Sequence, residues 1–317
     1  MKREELAVAD AYGKTLVELA KENKDIVVLE ADLMKATGTK VFQDKFPDRL
    51  FQVGVAEQNM IGIAAGLAAS GKIPFANTFA VFATKRACDQ VSVSVAYPRL
   101  NVKIGGTYAG LSCAYGATHQ SVEDIAIMRS MPNMVVIVPA DTIELSKVVR
   151  AISQYDGPVY LRMVRGTMPR IFDDDHEFEI GKSSILRDGR AASIISTGVM
   201  TFKAVEAADI LKNEGVEVRV INMSTIKPID EKAIVEAAQD TGAIVTVENH
   251  SVIGGLGSAV CEVVCKNCPV PVNRVGINDK FGYAGPFEWS LKHFKFDVPD
   301  IVFAVKDVVA RKYKNKG

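Results

Sequence analysis

Apolar positions along the chain recur with two alternating periods. Between residues 5 and 22, Leu6, Ala9, Leu16 and Leu19 fall at helical spacing, and the short run Ile26-Val-Val-Leu that follows predicts a buried strand. A second strand is expected over Leu50–Val55. It runs straight into a helix over Glu57–Ser70, rich in Ala, Ile and Met and ended by Gly71. Strands at about Ile73–Asn77, Val102–Gly105, Val135–Val138 and Val159–Val164 follow, with helical patterns between them. Short β-branched runs alternating with helices predict βαβ units and a mainly parallel sheet covered on both faces. The alternation pauses between Arg165 and Gly189, at the acidic stretch Asp173-Asp174-Asp175-His176-Glu177. It then resumes with strands over Ala192–Ser196, Val216–Asn222, Ile244–Val247 and Val272–Val275, and helices over Phe202–Asn213, Ile229–Gln239 and Gly257–Val264. The expected class is α/β, with two doubly wound sheets: one domain over 1–166, a linker over 167–189 and a smaller domain over 190–317.

Composition narrows the function classes. A chain of 317 residues suits two domains, and 48% hydrophobic with 24% charged residues excludes disorder and small disulfide scaffolds. Lys and Arg total 38 and Asp and Glu total 38, so the formal net charge of zero argues against nucleic acid or an anionic membrane as partner. There is no run of eighteen apolar residues to span a membrane. The charged start Met-Lys-Arg-Glu-Glu-Leu predicts no signal peptide, and five cysteines without a disulfide framework predict a reducing cytoplasm.

Open α/β sheets bind ligands at the carboxyl ends of their strands, which directs attention to Glu30–Thr37, Gly54–Asn59, Asn77–Phe82 and Gly105–Gln120. Glu57 lies between a buried strand and an apolar helix. It reads either as an ordinary carboxylate favoured by the helix dipole or as a partly desolvated acid able to hold a proton against a ring nitrogen. Phe79 and Phe82 are either core or a stacking platform for a flat ligand. His119, in the small-residue loop Gly116-Ala-Thr-His-Gln, suits hydrogen bonding to a hydroxyl or proton movement. Arg165, at a strand end beside Gly166, suits an anion contact or a solvated charge.

Read together, these sites resemble the C-terminal two-thirds of the transketolase family, which uses thiamine diphosphate. The resemblance is carried by Asp32-Leu33, Val53-Gly-Val-Ala-Glu-Gln-Asn-Met, Thr78-Phe79 with Phe82, and Gly116-Ala-Thr-His-Gln. It continues through Pro132-Asn133-Met134, Gly157-Pro158 with Arg165, and Glu248-Asn-His-Ser-Val-Ile-Gly-Gly-Leu-Gly, so it spans nearly the whole chain in order. It implies a pyrimidine-binding domain followed by a transketolase C-terminal domain. By the same resemblance Glu57 bonds N1′ of the aminopyrimidine and stabilises its imino tautomer, whose 4′-nitrogen can take the C2 proton of the thiazolium. Asp32 falls in the cofactor-binding segment, Leu33 supports the bent cofactor, and Phe79 and Phe82 pack the pyrimidine. His119 lies near the sugar, and Arg165 binds the substrate phosphate.

The family holds the diphosphate and Mg²⁺ (or Ca²⁺) with a Gly-Asp-Gly motif, and the sequence contains none. The expectation is a split transketolase, in which an N-terminal-section subunit bearing Gly-Asp-Gly supplies the metal and diphosphate site, with two copies of each chain. Three positions depart from the family pattern: Ala9 replaces an Arg, Ala36 a phosphate-side Ser, and Tyr115 an Asp that reads a sugar hydroxyl. Lost charge-assisted contacts of this kind are worth about 1.5–3 kcal/mol each. Lys35 can compensate beside Ala36, so Lys35, Tyr115, His119 and Arg165 are the expected substrate residues. The implied activity is two-carbon ketol transfer between a ketose and an aldose phosphate, with a non-standard sugar such as a sulfo-sugar or a branched ketose phosphate. Rival readings are the beta subunit of a 2-oxo-acid dehydrogenase, deoxyxylulose-phosphate synthase and a non-catalytic regulatory paralogue.

Three further patterns need weighing. Cys261, Cys265 and Cys268 have cluster-like spacing, but Cys261 and Cys265 fall in an apolar helical pattern. Gly254-Gly-Leu-Gly resembles a dinucleotide fingerprint, yet suits close helix–strand packing, with His250 beside it in a structural or interface role. Arg311-Lys-Tyr-Lys-Asn-Lys reads as a solvated helix end.

Overall fold

The structure, a computed structural model, describes residues 6–314. Six strands of the first half appear in the expected order: β1 Ile26–Glu30, β2 Leu50–Gln52, β3 Ile73–Phe79, β4 Lys103–Thr107, β5 Val135–Ile137 and β6 Val159–Arg162. The second half adds β7 Ser184–Arg187, β8 Ser193–Ser196, β9 Arg219–Asn222, β10 Thr225–Lys227, β11 Ile244–Ser251 and β12 Val272–Ile277. They form one sheet ordered β10-β5-β6-β4-β3-β1-β2 and a second ordered β12-β11-β8-β9-β7. All pairings are parallel except those of the edge strands β10 and β7.

Alternation along β1 shows why both faces of the first sheet are covered. Ile26 and Val28 join Leu16, Phe75 and Val148 under the helices Val8–Glu22 and Thr142–Gln154. Val27 and Leu29 join Met60, Ile61 and Ala64 of the helix Glu57–Ala69 on the opposite face. The second core also continues between domains, because Ile195, Ile221, Met223 and Ile226 belong to the same apolar cluster as Met134, Val136 and Val138.

Two features lie outside the periodic reading. Ser184–Arg187 falls within 167–189, yet it is an edge strand antiparallel to β9. β10 leaves the second half of the chain to extend the first sheet, pairing Thr225 with Ile137 and Lys227 with Val136. Both runs are too short for a period to show, and edge strands carry little apolar signal.

A buried polar seam joins the domains. Asp124 accepts from Arg162 Nε at 2.7 Å and Nη2 at 3.1 Å and from the Tyr160 hydroxyl at 2.7 Å. Arg162 Nη2 also donates to the Asn249 carbonyl at 2.9 Å. Burial alone would raise Asp124, but Arg162 holds its carboxyl below the ordinary value. His250 is buried in the same seam, with Nδ1 2.7 Å from the Ser251 carbonyl and Nε2 3.4 Å from the Ala126 amide. The glycine-rich turn beside it serves packing: a Cβ on Gly257 would stand 2.8 Å from Thr246 Oγ1 and from Arg274 Cδ. The amides of Leu256 and Gly257 are taken by the chain's own Glu248 carboxylate, at 2.7 and 2.8 Å. Cys261 and Cys265 lie within the helix Leu256–Asn267, and Cys268 follows it. Among the described residues, no group of three His, Cys, Asp or Glu is placed to hold a metal ion. Nor is any helix among them long and apolar enough to cross a membrane. The C-terminal helix runs Val298–Lys314, with Arg311 Nη1 bonded to Asn273 at 2.7 Å and Lys312 to the Thr241 carbonyl at 2.5 Å. Asn315 and Lys316 of the basic tail lie outside the described residues.

Candidate active site

Because β1, β3, β4 and β6 are parallel, their carboxyl ends share one edge of the first sheet, and Asp32, Leu33, Lys35, Glu57, Phe79, Phe82, Tyr115, His119 and Arg165 lie at strand ends, in the segments that follow them or at a helix start. At the end of β1, Asp32 adopts φ +62° and its amide donates to Gln52 Oε1 at 2.7 Å. Leu33 precedes the short helix Met34–Thr37, which carries the exposed Lys35. Gly38 ends that helix at φ +82°. A Cβ there would stand 1.9 Å from the Ala9 carbonyl oxygen, so glycine allows the helix Val8–Glu22 to close on the loop. Beneath the loop, the buried Glu30 carboxyl accepts the hydroxyls of Thr37 and Thr39, each at 2.6 Å, and burial pushes its pKa up to about 8.

Glu57 opens the helix Glu57–Ala69 and is 1% exposed. Its carboxylate has a partner that sequence reasoning missed. Arg86 Nη1 donates to both oxygens, at 2.9 and 3.0 Å, and the guanidinium lies over the Phe82 ring, 4.1 Å from its centroid. Arg86 arrives by a wide π-helical turn over Phe82–Arg86, a backbone form often found at functional sites.

Phe79 and Phe82 are in ring contact, with centroids 5.8 Å apart. His119 stands edge-on to both, 6.2 Å from Phe79 and 5.5 Å from Phe82, and 5.8 Å from Tyr115. A second missed residue completes the cluster. Tyr108, at φ +58°, stacks on Phe79 at 4.3 Å and faces Tyr115 at 6.4 Å. The Arg165 guanidinium covers both tyrosines, 5.2 Å from Tyr108 and 5.1 Å from Tyr115. Burial, opposed by Arg165, raises the Tyr108 phenol above its ordinary value, so it stays neutral. An aromatic next to Thr107 at a strand end was the available signal for Tyr108. Nothing in the spacing marked Arg86.

Lys35, Arg165 and Tyr108 line one cavity of about 260 Å³ together with Ala9, Asp10 and Ala36. The two alanines noted as departures therefore face the space flanked by the two cations. A larger hollow of about 610 Å³ lies between the helix Thr142–Gln154 and residues 176–184, and none of the residues singled out for the site lines it. The arrangement places a flat aromatic wall beside a buried carboxylate, a histidine at its edge and a cavity lined by two cations and the Asp10 carboxylate.

Residues 4–170 match the transketolase pyrimidine binding domain, and residues 181–301 match the transketolase C-terminal domain. The chain belongs to the transketolase family. It is 46% identical over 313 residues to the 6-deoxy-6-sulfo-D-fructose transketolase subunit SqwH of Clostridium sp. (strain MSTE9), covering 98% of this chain and 97% of that one. It is 50% identical over 290 residues to a putative transketolase C-terminal section of Methanocaldococcus jannaschii, covering 90% and 91%. Among solved structures it is similar to a split gene transketolase, an inactive beta4 tetramer, with TM-score 0.92 and 49% identity over 97% of this chain and 99% of that one.

Proposed function

We propose that this transketolase-family chain is one subunit of a split, thiamine-diphosphate-dependent transketolase that moves a two-carbon ketol unit from a ketose to an aldose phosphate. We further propose that its natural ketose is a sulfo-sugar. The observation that carries the reading is the joining of Glu57, Arg86 and Phe82. The Arg86 guanidinium lies over Phe82 while donating to the Glu57 carboxylate, so the aromatic face and the carboxylate are close enough for one planar nitrogenous group to meet both. These residues fit the cofactor's ring. When bound, thiamine diphosphate supplies a nucleophilic carbon that can hold the transferred unit.

The chain's own residues then have distinct tasks. Glu57 holds a proton at the ring nitrogen from a water-poor position at its helix start. Phe79 and Phe82 pack the ring, and Asp32 and Leu33 shape the cofactor's seat at the end of β1. His119, edge-on to that wall, meets the sugar hydroxyls, and Tyr115 closes the side where an acidic residue would otherwise read a hydroxyl. Lys35 and Arg165 take the anionic tail. A sulfonate carries one negative charge where a phosphate ester carries up to two, so a cavity in which Asp10 offsets one of the two cations and Ala9 and Ala36 add no donor suits the less demanding anion. The similarity to SqwH supports this choice.

The diphosphate and its Mg²⁺ (or Ca²⁺) belong, in this reading, to an N-terminal-section partner bearing Gly-Asp-Gly, with two copies of each chain in a cytoplasmic heterotetramer. The inactivity of the beta4 tetramer formed by the similar split gene transketolase supports a need for that partner. The test is reconstitution. This chain, its partner, thiamine diphosphate and Mg²⁺ should convert 6-deoxy-6-sulfo-D-fructose with an aldose phosphate acceptor faster than xylulose 5-phosphate with ribose 5-phosphate. Equal or better turnover of the ordinary pair would overturn the sugar assignment. No ketol transfer with either would overturn the activity.

A further inference from the structure

The loop that carries Tyr115 and His119 is held by its own hydrogen bonds and also from outside. It is built against residues 279–285, a strap between β12 and the helix Phe287–His293 of the second domain. Tyr115 forms an antiparallel bridge with Ala284, and the Gly285 amide donates to the Ala114 carbonyl at 3.2 Å. Gln120, immediately after His119, is buried. Its Nε2 donates at 2.7 Å to the Cys113 carbonyl, within the loop, and at 2.9 Å to the Tyr283 carbonyl, on the strap. One amide thus pins the loop to itself and to the other domain.

The strap is itself anchored on both sides. The Tyr283 ring rests on His293 at 5.4 Å and on Phe294 at 5.8 Å. Phe281 reaches back to Lys85, 5.8 Å from its ring centroid, and Lys85 is adjacent to Arg86. The strap therefore touches the turn that carries the Glu57 partner as well as the His119 loop. Its fit is tight at one point: a Cβ on Gly282 would stand 2.0 Å from Gln120 Oε1 and 2.3 Å from Leu111 Cδ2. Gly282 has no side chain because the loop occupies that space.

We infer that Gln120 and Gly282 are positioning residues through which the second domain sets the stance of His119 and Tyr115, and with it sugar binding. The inference rests on the transketolase reading above and gives the C-terminal domain a task in it. Because misplacement by about 1 Å can cost about a hundredfold in rate, a methyl group at 282 is felt at the sugar although the residue itself touches none.

The experiment uses the reconstituted complex with Gly282→Ala and, separately, Gln120→Ala. Each should raise KM for the ketose by about tenfold or more, with kcat changed less, while the affinity for thiamine diphosphate stays within about twofold. Hydrogen exchange by mass spectrometry, read on the chain without cofactor, should be faster over residues 107–120 in both variants and unchanged in the helix Thr142–Gln154. Should one variant fail to fold, the other carries the test. KM within about twofold of the parent in a folded variant, or unchanged exchange over 107–120, overturns the inference. If the parent complex shows no ketol transfer, the functional reading has failed, and the exchange measurement alone then decides whether the strap positions the loop.

Discussion

Arg86 donates through a single nitrogen to both oxygens of Glu57, so a buried carboxylate at 1% exposure is answered by a guanidinium whose side chain is 47% exposed. The pair is neither a surface bridge nor a sealed one. Breaking a fully buried pair costs about 3–5 kcal/mol, and an exposed one about 0–1 kcal/mol. Arg86→Ala should therefore lower the unfolding free energy of the isolated chain by about 1–2 kcal/mol, because it leaves Glu57 buried without a cation. In the double variant with Glu57→Gln the loss should shrink, since no charge remains to be orphaned. Urea titrations of the four proteins in this cycle measure it, and strict additivity would mean that the two side chains do not stabilise one another.

Activity isolates the other half of the relationship. Glu57→Gln keeps shape and loses the capacity to hold a proton as an acid. In the reconstituted complex, kcat should fall by about a hundredfold or more, as expected for losing a positioned acid–base group. Cofactor affinity, followed by calorimetry, separates failed chemistry from failed binding. Turnover within a few-fold of the parent would remove Glu57 from its role.

Glu30 makes a pH prediction with a definite sign. Burial raises its pKa from 4.5 to about 8, so between those values the folded chain holds a proton that the unfolded chain has released. The stabilisation is complete below about 4.5 and is lost as pH rises through 8, with a slope of up to about 1.4 kcal/mol per pH unit. Lys103, buried and bonded to the Tyr155 and Gly157 carbonyls, is lowered to about 7 and acts with the opposite sign at higher pH. The clean window is therefore pH 5–7. There Glu30→Gln should flatten the fall in stability, and parallel curves for the variant and the parent would show that Glu30 does not titrate in this way.

Most of the strands were legible in the sequence as short apolar runs between helical patterns; β1 and β5 are buried at every position. Tyr115 was marked by the family resemblance alone, whereas Phe79, Phe82, His119 and Arg165 were legible because they lie at or after the carboxyl ends of parallel strands and so share an edge. Arg86 was not, since its position depends on a π-helical turn that no 3.6-residue period reveals. Neither were β10 nor the strap at 279–285, whose partners lie 88 residues away at Ile137, counted from Thr225, and 169 away at Tyr115, counted from Ala284. Pairings at such separations are decided by packing between domains, which local pattern does not record.

The cavity between Lys35 and Arg165 yields the prediction that bears most on the substrate. Both side chains are exposed cations at its lining, which they share with the Asp10 carboxylate, and Ala9 and Ala36 offer no polar group of their own. If the two cations recognise an anionic tail, removing either should act only on substrates that have one. Lys35→Ala and Arg165→Ala should each raise KM for 6-deoxy-6-sulfo-D-fructose by about tenfold to a hundredfold, the equivalent of about 1.5–3 kcal/mol for a charge-assisted contact. The same variants should leave the much weaker KM for 6-deoxy-D-fructose, which lacks the sulfonate, within about twofold of the parent. Raising the salt concentration should narrow the gap between the two sugars in the parent and scarcely affect it in the double variant, because partly exposed charges are screened over roughly 10 Å at 0.1 M. Initial rates for both sugars across the parent and the variants decide the matter. An equal loss with the neutral sugar would place Lys35 and Arg165 in the framework of the site, not in recognition of the tail.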